Sequence, residues 1–325
     1  MFGLNLIVFG TKLEGYTPQL LEAVKALGYD GVEPPAFSNN VDDYSAFGER
    51  ARAAGLEVPS IVGIAGPGED IGSANEFEAA AGLGLMVDRL RYAKAAGAKI
   101  ASGPTLGVWG HRPEGIEPDA LAAYFSARVP RIVDALIRLA GQCGKYGVKY
   151  LLEYITRWEM FGYNTIDEIV ALLLQAESSQ LGALIDSAHQ TTDGHGWDSF
   201  GAGIGRLVEG GHPIQVHASP PHRRDLRHSC VDWTNFYGPL KRSGLVEWIL
   251  YEAFNAAPPF FEGASLTSPP FMDVMSRERC FGTHAGRVGR SLTLSFWDHS
   301  HHSNTHSRFR EASELSLSGC FFLYF

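Results

Sequence analysis

The sequence has little of what several protein classes require. It holds only four cysteines, at Cys143, Cys230, Cys280 and Cys320, and no two of them form a C-x-x-C pair. This spacing excludes a zinc ribbon and is typical of free thiols in a reducing compartment. A G-x-G-x-x-G motif is also missing after the first predicted strand, which disfavours a dinucleotide-binding open sheet.

Long apolar runs and an excess of positive charge are absent as well. No stretch reaches the roughly 18 apolar residues that a membrane span requires. The start, MFGLNLIVFGTKLEG, lacks the basic and apolar regions of a signal peptide. The net charge of −9 and the pI near 5.7 would repel a polyanion. We therefore expect a cytoplasmic protein that binds neither a membrane nor nucleic acid.

What the chain does contain is a repeating alternation of short apolar runs and amphipathic segments. A length of 325 residues accommodates one α/β barrel of about 250 residues with an appendage. Eight strand candidates alternate with helices up to about residue 256, which predicts a TIM (β/α)8 barrel. A doubly wound open sheet has the same alternation and is the competing fold. The strand candidates are LNLIVFG, YDGVEPP, EVPSIVGIAG, AKIASGP, VKYLLEYI, LGALIDSAH, PIQVHAS and VEWILYEAF.

The last part of the chain departs from this pattern. We expect residues 1–256 to form the barrel and 257–325 to form an atypical tail, because no lysine follows Lys241 and PPFFEGASLTSPPF interrupts any helix. The tail is interpreted as disordered, as a divergent extension or as the product of a reading-frame error. Its histidine-rich piece, FWDHSHHSNTHSRF, is expected to be solvated, without the scaffold that a metal site requires.

Four candidate metal ligands follow consecutive predicted strands. Glu153, Asp186, His217 and Glu252 are spaced by 33, 31 and 35 residues, so each step is one βα unit. In a TIM barrel such residues meet at the carboxyl ends of the strands. Each polar residue taken alone could cap a helix or form a hydrogen bond with a loop. Four such residues at equivalent positions of consecutive strands predict a metal site. Three carboxylates and one imidazole favour Mn²⁺, with Mg²⁺ and Co²⁺ as alternatives, over a thiolate-type zinc site.

Further polar and aromatic residues lie close to these ligands in the sequence. Glu159, His189 and Arg223 are expected on the loops that leave the fifth, sixth and seventh strands. Arg223 could clamp a substrate oxygen through its fork of donors, or lie solvated beside Arg224. Trp109, after the fourth strand, offers a flat wall for a sugar ring, with packing in the core as the second interpretation.

Four segments resemble one known family. They are LLEYITRWE, LIDSAHQ, VHASPPHRR and WILYEAF, and they resemble the xylose-isomerase-like TIM barrels known as sugar phosphate isomerases/epimerases. Within that family they are similar to the ketose 3-epimerases that act on D-tagatose or D-psicose. The resemblance implies one divalent metal ion, an acid/base pair formed by Glu153 and Glu252 on opposite faces of C3, and a set of substrate contacts. Those contacts would be Glu159, His189 and Arg223, and Trp109 stays a candidate substrate contact from its position alone.

The implied reaction inverts C3 of a ketose through a cis-enediolate, one glutamate removing a proton and the other returning one. A related sugar isomerase, or an inosose dehydratase or isomerase with the same metal cage, is the main alternative. An apurinic-site endonuclease and a glycoside hydrolase rank lower, because no basic groove is visible and because Asp186 and His217 would have no role. The expected partner is a small, unphosphorylated sugar. Self-association as a homodimer or homotetramer stays open.

Overall fold

The computed structural model describes residues 1–254, apart from 112, 114, 225, 227 and 228. The tail expected at 257–325, including its histidine-rich piece, lies outside the described residues. Within the described part, Cys143 is a buried free thiol and Cys230 an exposed one. No helix in this part is long and apolar enough to cross a membrane.

Eight parallel strands form the sheet, in the order β2-β1-β8-β7-β6-β5-β4-β3. Isolated bridges from Gly31 to Glu57 and from Pro35 to Val62 bring together the two outer strands of this order, β2 and β3, so the sheet nearly closes into a barrel. This confirms the predicted TIM barrel and excludes the open sheet. The strands are β1 (Phe2–Asn5), β2 (Gly31–Glu33), β3 (Ser60–Val62), β4 (Ile100–Gly103), β5 (Lys149–Glu153), β6 (Leu181–Asp186), β7 (Ile214–Ala218) and β8 (Val246–Tyr251).

Helices surround the barrel, and most begin at a side chain that satisfies their first free amide groups. Thr17 caps α1 with Pro18 at its first position, and Thr165 with Glu168 forms a capping box on α5. The short α6, directly after β6, was not expected. The helices are α1 (Pro18–Ala26), α2 (Val41–Ala53), α3 (Glu76–Ala96), α4 (Leu121–Tyr146), α5 (Ile166–Ala176), α6 (Ser187–Asp193), α7 (Trp197–Glu209) and α8 (Trp233–Ser243).

The first strand is shorter than predicted. Only Phe2–Asn5 pair in the sheet, and Leu6–Phe9 turn into a single 3-10 helix. The side chain of Asn5 accepts a hydrogen bond from the amide of Ile7 and so caps this turn. Asn5 consequently ends β1, with a buried amide group inside the barrel.

Two apolar layers position the site. The large core lies between the sheet and the helices, whereas Val62, Leu151 and Leu184 form a small separate cluster on the inner side of the sheet. Because side chains on one face of a strand recur every second residue, Glu153 lies on the same inward face as Leu151, and Asp186 on that of Leu184. This cluster therefore forms an apolar floor beneath Glu153 and Asp186.

Candidate active site

The four candidate ligands lie together at the carboxyl end of β5 to β8. Glu153 and Asp186 are the last residues of their strands, His217 is inside β7, and Glu252 directly follows β8. Asp186 pairs in register with His217. The amide of Glu252 donates to the carbonyl of Ala218, 3.2 Å away, so the ladder continues past β8. All four side chains are buried, with Asp186 and His217 fully inaccessible.

Three of the four form a group with metal-ligand spacing. One ligand atom each from Glu153, Asp186 and His217 lies within 4.8 Å of the other two. Glu252 lies beside this group, with Oε1 at 3.4 Å from Nδ1 of His217. Neither ring nitrogen of His217 has a well-aligned hydrogen-bond partner among the described residues. Several buried carboxylates around one buried imidazole fit a divalent cation, because like charges brought together without water are otherwise costly to bury.

Asp186 links the end of β6 to the start of α6. Its Oδ1 accepts hydrogen bonds from the amides of Ala188 at 2.5 Å and His189 at 3.4 Å, and so caps the short helix. Its Oδ2 is left for the site, where it accepts from Nη1 of Arg223 at 2.6 Å. The two oxygens therefore divide between fixing the backbone and facing the cavity.

Arg223 supplies positive charge to this acidic cluster. It has a left-handed backbone conformation, with φ of 57°, on the loop after β7. Its Nη1 donates to Asp186, to Oε2 of Glu252 at 2.9 Å and to Oγ of Ser219 at 2.8 Å. The guanidinium carbon lies 5.0 Å from the centre of the Phe254 ring. The side chain is largely buried, which rules out the solvated interpretation, whereas Arg224 is exposed, as expected.

His189 lies on α6 and not on a loop, so the predicted loop position was wrong. The position follows from Asp186, whose side chain starts a helix at once. Nδ1 of His189 accepts from the amide of Thr156 at 3.1 Å, and Nε2 lies 2.9 Å from Nη2 of Arg223. Burial, reinforced by the charge of Arg223, lowers the pKa of His189 to about 3. The ring is therefore neutral at physiological pH.

The pKa values of Glu153 and Glu252 are shifted in opposite directions in the metal-free protein. Burial raises the pKa of Glu153 well above its usual value, and the nearby Glu252 and Asp186 add to the shift. Burial also acts to raise the pKa of Glu252, but His217 and Arg223 outweigh it and the pKa is lowered. Burial likewise opposes the protonation of His217, yet the charges of Glu33 and Glu252 raise its pKa overall.

Six of the eight predicted site residues line one cavity of about 60 Å³ at the barrel mouth, and Asp186 and His217 are not among its lining residues. Nε1 of Trp109 donates to Oε2 of Glu159 at 3.5 Å, and Oε1 of Glu159 lies 3.5 Å from Nη2 of Arg223. A larger groove of about 590 Å³, on the outside between α7 and α8, contains none of them. The residues from the sequence prediction that line the mouth cavity are Trp109, Glu153, Glu159, His189, Arg223 and Glu252.

Sequence reasoning missed the buried carboxylate Glu33 and its partners. Oε2 of Glu33 lies 2.8 Å from Nε2 of His217, and Nδ2 of Asn5 donates both to Glu33 at 2.9 Å and to Glu252 at 3.1 Å. Glu33 ends β2 as Glu153 ends β5, so a polar residue at the end of the strand candidate YDGVEPP is the signal that points to it.

A βα barrel with carboxylates and imidazoles at the carboxyl ends of its strands is typical of barrel enzymes. The sequence model of the family described as xylose isomerase-like TIM barrel matches residues 21–268. The chain belongs to this family. Because the family is one of enzymes, the protein is an enzyme. No curated protein matches the chain by sequence.

Solved structures with the same fold extend over most of the chain. A candidate sugar phosphate isomerase/epimerase from Anabaena variabilis is 26% identical with a TM-score of 0.72, covering 80% of this chain and 85% of its own. An L-ribulose 3-epimerase is 21% identical with a TM-score of 0.67, covering 78% and 82%. D-psicose 3-epimerase from Clostridium cellulolyticum, solved with D-tagatose, is 16% identical with a TM-score of 0.67, covering 84% and 89%.

Proposed function

We propose that this protein is a divalent-metal-dependent epimerase that inverts C3 of a ketose. The observation that carries the proposal is the order of four buried side chains along the barrel rim. Glu153 and Glu252 end an arc of neighbouring strands, β5 to β8, and Asp186 and His217 lie between them. Inversion of C3 requires one group that removes a proton from one face and another that gives a proton to the opposite face. Two glutamates on either side of the candidate metal ligands could supply both groups.

Glu153, Asp186, His217 and Glu252 would hold the ion, for which Mn²⁺ is the first candidate and Mg²⁺ and Co²⁺ are alternatives. When bound, the ion polarises the ketose carbonyl and acidifies the C3 proton. One glutamate, as the carboxylate, would remove this proton, and the second, as the carboxylic acid, would give its own proton to the other face of the cis-enediolate. Each glutamate serves as base in one direction and as acid in the reverse direction.

The remaining cavity residues would orient the sugar. Arg223 presents a fork of donors to hydroxyl or carbonyl oxygens. Glu159 accepts hydrogen bonds from sugar hydroxyls, neutral His189 offers a ring nitrogen, and Trp109 supplies a flat apolar wall. Together with Glu153 and Glu252, these four residues surround one cavity. The names of the neighbouring structures, sugar isomerase/epimerase and ketose 3-epimerases, support a sugar substrate.

The test is metal-dependent conversion of free ketoses. Chelator-treated protein would be incubated with D-fructose, D-psicose, D-tagatose or L-ribulose, with and without added Mn²⁺, and the sugars separated by chromatography. We expect the C3 epimer to form only when metal is added, and Mg²⁺ or Co²⁺ to support lower rates. Folded, metal-loaded protein that yields no C3 epimer from any of these ketoses would overturn the proposal.

A further inference from the structure

A fifth buried carboxylate lies behind the proposed metal group. Oε2 of Glu33 is 2.8 Å from Nε2 of His217, and both side chains are fully inaccessible. The second ring nitrogen, Nδ1, lies on the opposite side of the imidazole, 3.4 Å from Glu252. One edge of the ring therefore faces Glu33 and the other faces the group at the barrel mouth.

Glu33 is itself held from three other strands. Oε2 accepts from Nδ2 of Asn5 at the end of β1, 2.9 Å away. Oε1 accepts from Oγ of Ser60 at the start of β3 at 2.5 Å, and from Nε2 of Gln215 in β7 at 3.5 Å. Nε2 of Gln215 also donates to Ser60 at 2.6 Å. Both carboxylate oxygens thus have donors, which leaves this buried side chain little freedom to rotate.

Asn5 connects the same network to the second glutamate of the proposed acid/base pair. Its Nδ2 donates to Glu33 and, at 3.1 Å, to Oε1 of Glu252. Its Oδ1 is fixed by the amide of Ile7 at 2.9 Å. One amide group with an anchored orientation therefore holds two carboxylates whose charges would otherwise repel each other.

We infer that Glu33, braced by Asn5, is the positioning residue that orients His217 as a metal ligand, an inference that rests on the proposed function. Glu33 touches neither the cavity nor a reacting atom, and it acts through His217. Carboxylates that contact the outer nitrogen of a ligating histidine fix the ring and strengthen metal binding. Here the contact of Glu33 with Nε2 leaves Nδ1 of His217, which faces Glu252, to bind the ion. Asn5 holds Glu252 near Nδ1.

The experiment measures the Kd for Mn²⁺ by titration of the free-ion signal in electron paramagnetic resonance. Wild type, E33Q, H217Q and the double variant E33Q/H217Q form a cycle, with thermal melts reporting folding. E22Q, a change on the exposed face of α1, is the matched control. We expect E33Q to weaken Mn²⁺ binding by about 10- to 100-fold, and E22Q to leave it unchanged. In the H217Q background, the same change at Glu33 should have little further effect, because its partner is gone.

Equal Mn²⁺ affinity of folded E33Q and wild type would overturn the inference. It would also be overturned if E33Q lowered Mn²⁺ affinity equally in the wild-type and H217Q backgrounds, because Glu33 would then have only a structural role. Should E33Q not fold, N5A and E33D carry the test: both are expected to weaken Mn²⁺ binding, and wild-type affinity in both would contradict the inference. Wild type that binds Mn²⁺ but epimerises no ketose refutes the proposed function alone. Wild type that binds no Mn²⁺ refutes both.

Discussion

Nη1 of Arg223 lies 2.6 Å from Oδ2 of Asp186, inside the carboxylate cluster. The same nitrogen lies 2.9 Å from Oε2 of Glu252. A single guanidinium therefore bridges the two carboxylates that flank His217 along the barrel rim, and it offsets their mutual repulsion in the metal-free protein. This bridge makes the stability of the cluster depend on either Arg223 or a bound cation.

Arg223→Ala is expected to lower the stability of the metal-free protein. Removing one partner of a buried ion pair leaves uncompensated charge and costs about 3 kcal/mol. Added Mn²⁺ should restore much of the loss, because it supplies the missing positive charge. Denaturant unfolding with and without Mn²⁺ measures both effects. Arg224→Ala, at the exposed neighbouring position, is the control; equal losses in the two variants would contradict the role assigned to Arg223.

Metal removal is expected to lower the melting temperature. An ion that binds only the folded state stabilises it by about 2.7 kcal/mol when its free concentration is about 100-fold above Kd. Chelator-treated protein should therefore melt lower, and recover on addition of Mn²⁺. Asp186→Asn should abolish this recovery, since it removes a ligand charge from the group. A Mn²⁺-dependent shift that persists in Asp186→Asn would place the ion elsewhere.

Glu153→Gln and Glu252→Gln should have opposite effects on the metal-free protein. The pKa of Glu153 is raised by burial, so its contribution to stability is present below its unfolded pKa and is lost as pH rises through the folded value. At neutral pH, Glu153→Gln should therefore raise the melting temperature. The pKa of Glu252 is lowered, because His217 and Arg223 outweigh burial, so Glu252→Gln should lower the melting temperature. If both variants shifted the melting temperature in the same direction in the presence of chelator, the opposite pKa shifts of the two glutamates would be refuted.

The free energy of unfolding should decrease as pH falls, in part because of the titration of His189. Its pKa is about 3 in the folded protein, whereas an unfolded histidine titrates near 6.5. Between these values the unfolded chain binds the additional proton, so the folded state loses about 1.4 kcal/mol per pH unit as pH falls. His189→Asn keeps an acceptor for the amide of Thr156 and removes the titration. Denaturant unfolding at pH 7 and pH 5 should show a smaller loss in the variant; equal losses would contradict the shift.

Some site residues can be predicted from the sequence of a single strand, whereas others cannot. Glu153, Asp186 and Glu252 each stand at the end of a clear apolar run, and barrel topology carries strand ends to one rim. Asn5 ends β1 only because the chain turns into a 3-10 helix at Leu6, which a continuous apolar run conceals. The helical position of His189 depends on the capping by Asp186, which also ends a strand.

The interaction between Glu33 and His217 could not be predicted in the same way. The two residues are far apart in sequence and lie on β2 and β7, which are not neighbours in the sheet. Their contact depends on side chains that cross the barrel interior above its apolar floor. Strand order specifies which ends share a rim, but not which side chains meet across it.

The most direct test of the account is deuterium incorporation at C3 of D-fructose, D-psicose and D-tagatose in deuterated water with Mn²⁺. Wild type would be compared with Glu153→Gln and Glu252→Gln by nuclear magnetic resonance of the sugars. Label at C3 of the epimeric product with wild type, and loss of this product in both variants when they remain folded, is the predicted result. Label at C1 or C2 in place of C3, or undiminished formation of the C3 epimer without Glu252, would contradict the two-glutamate epimerisation at C3.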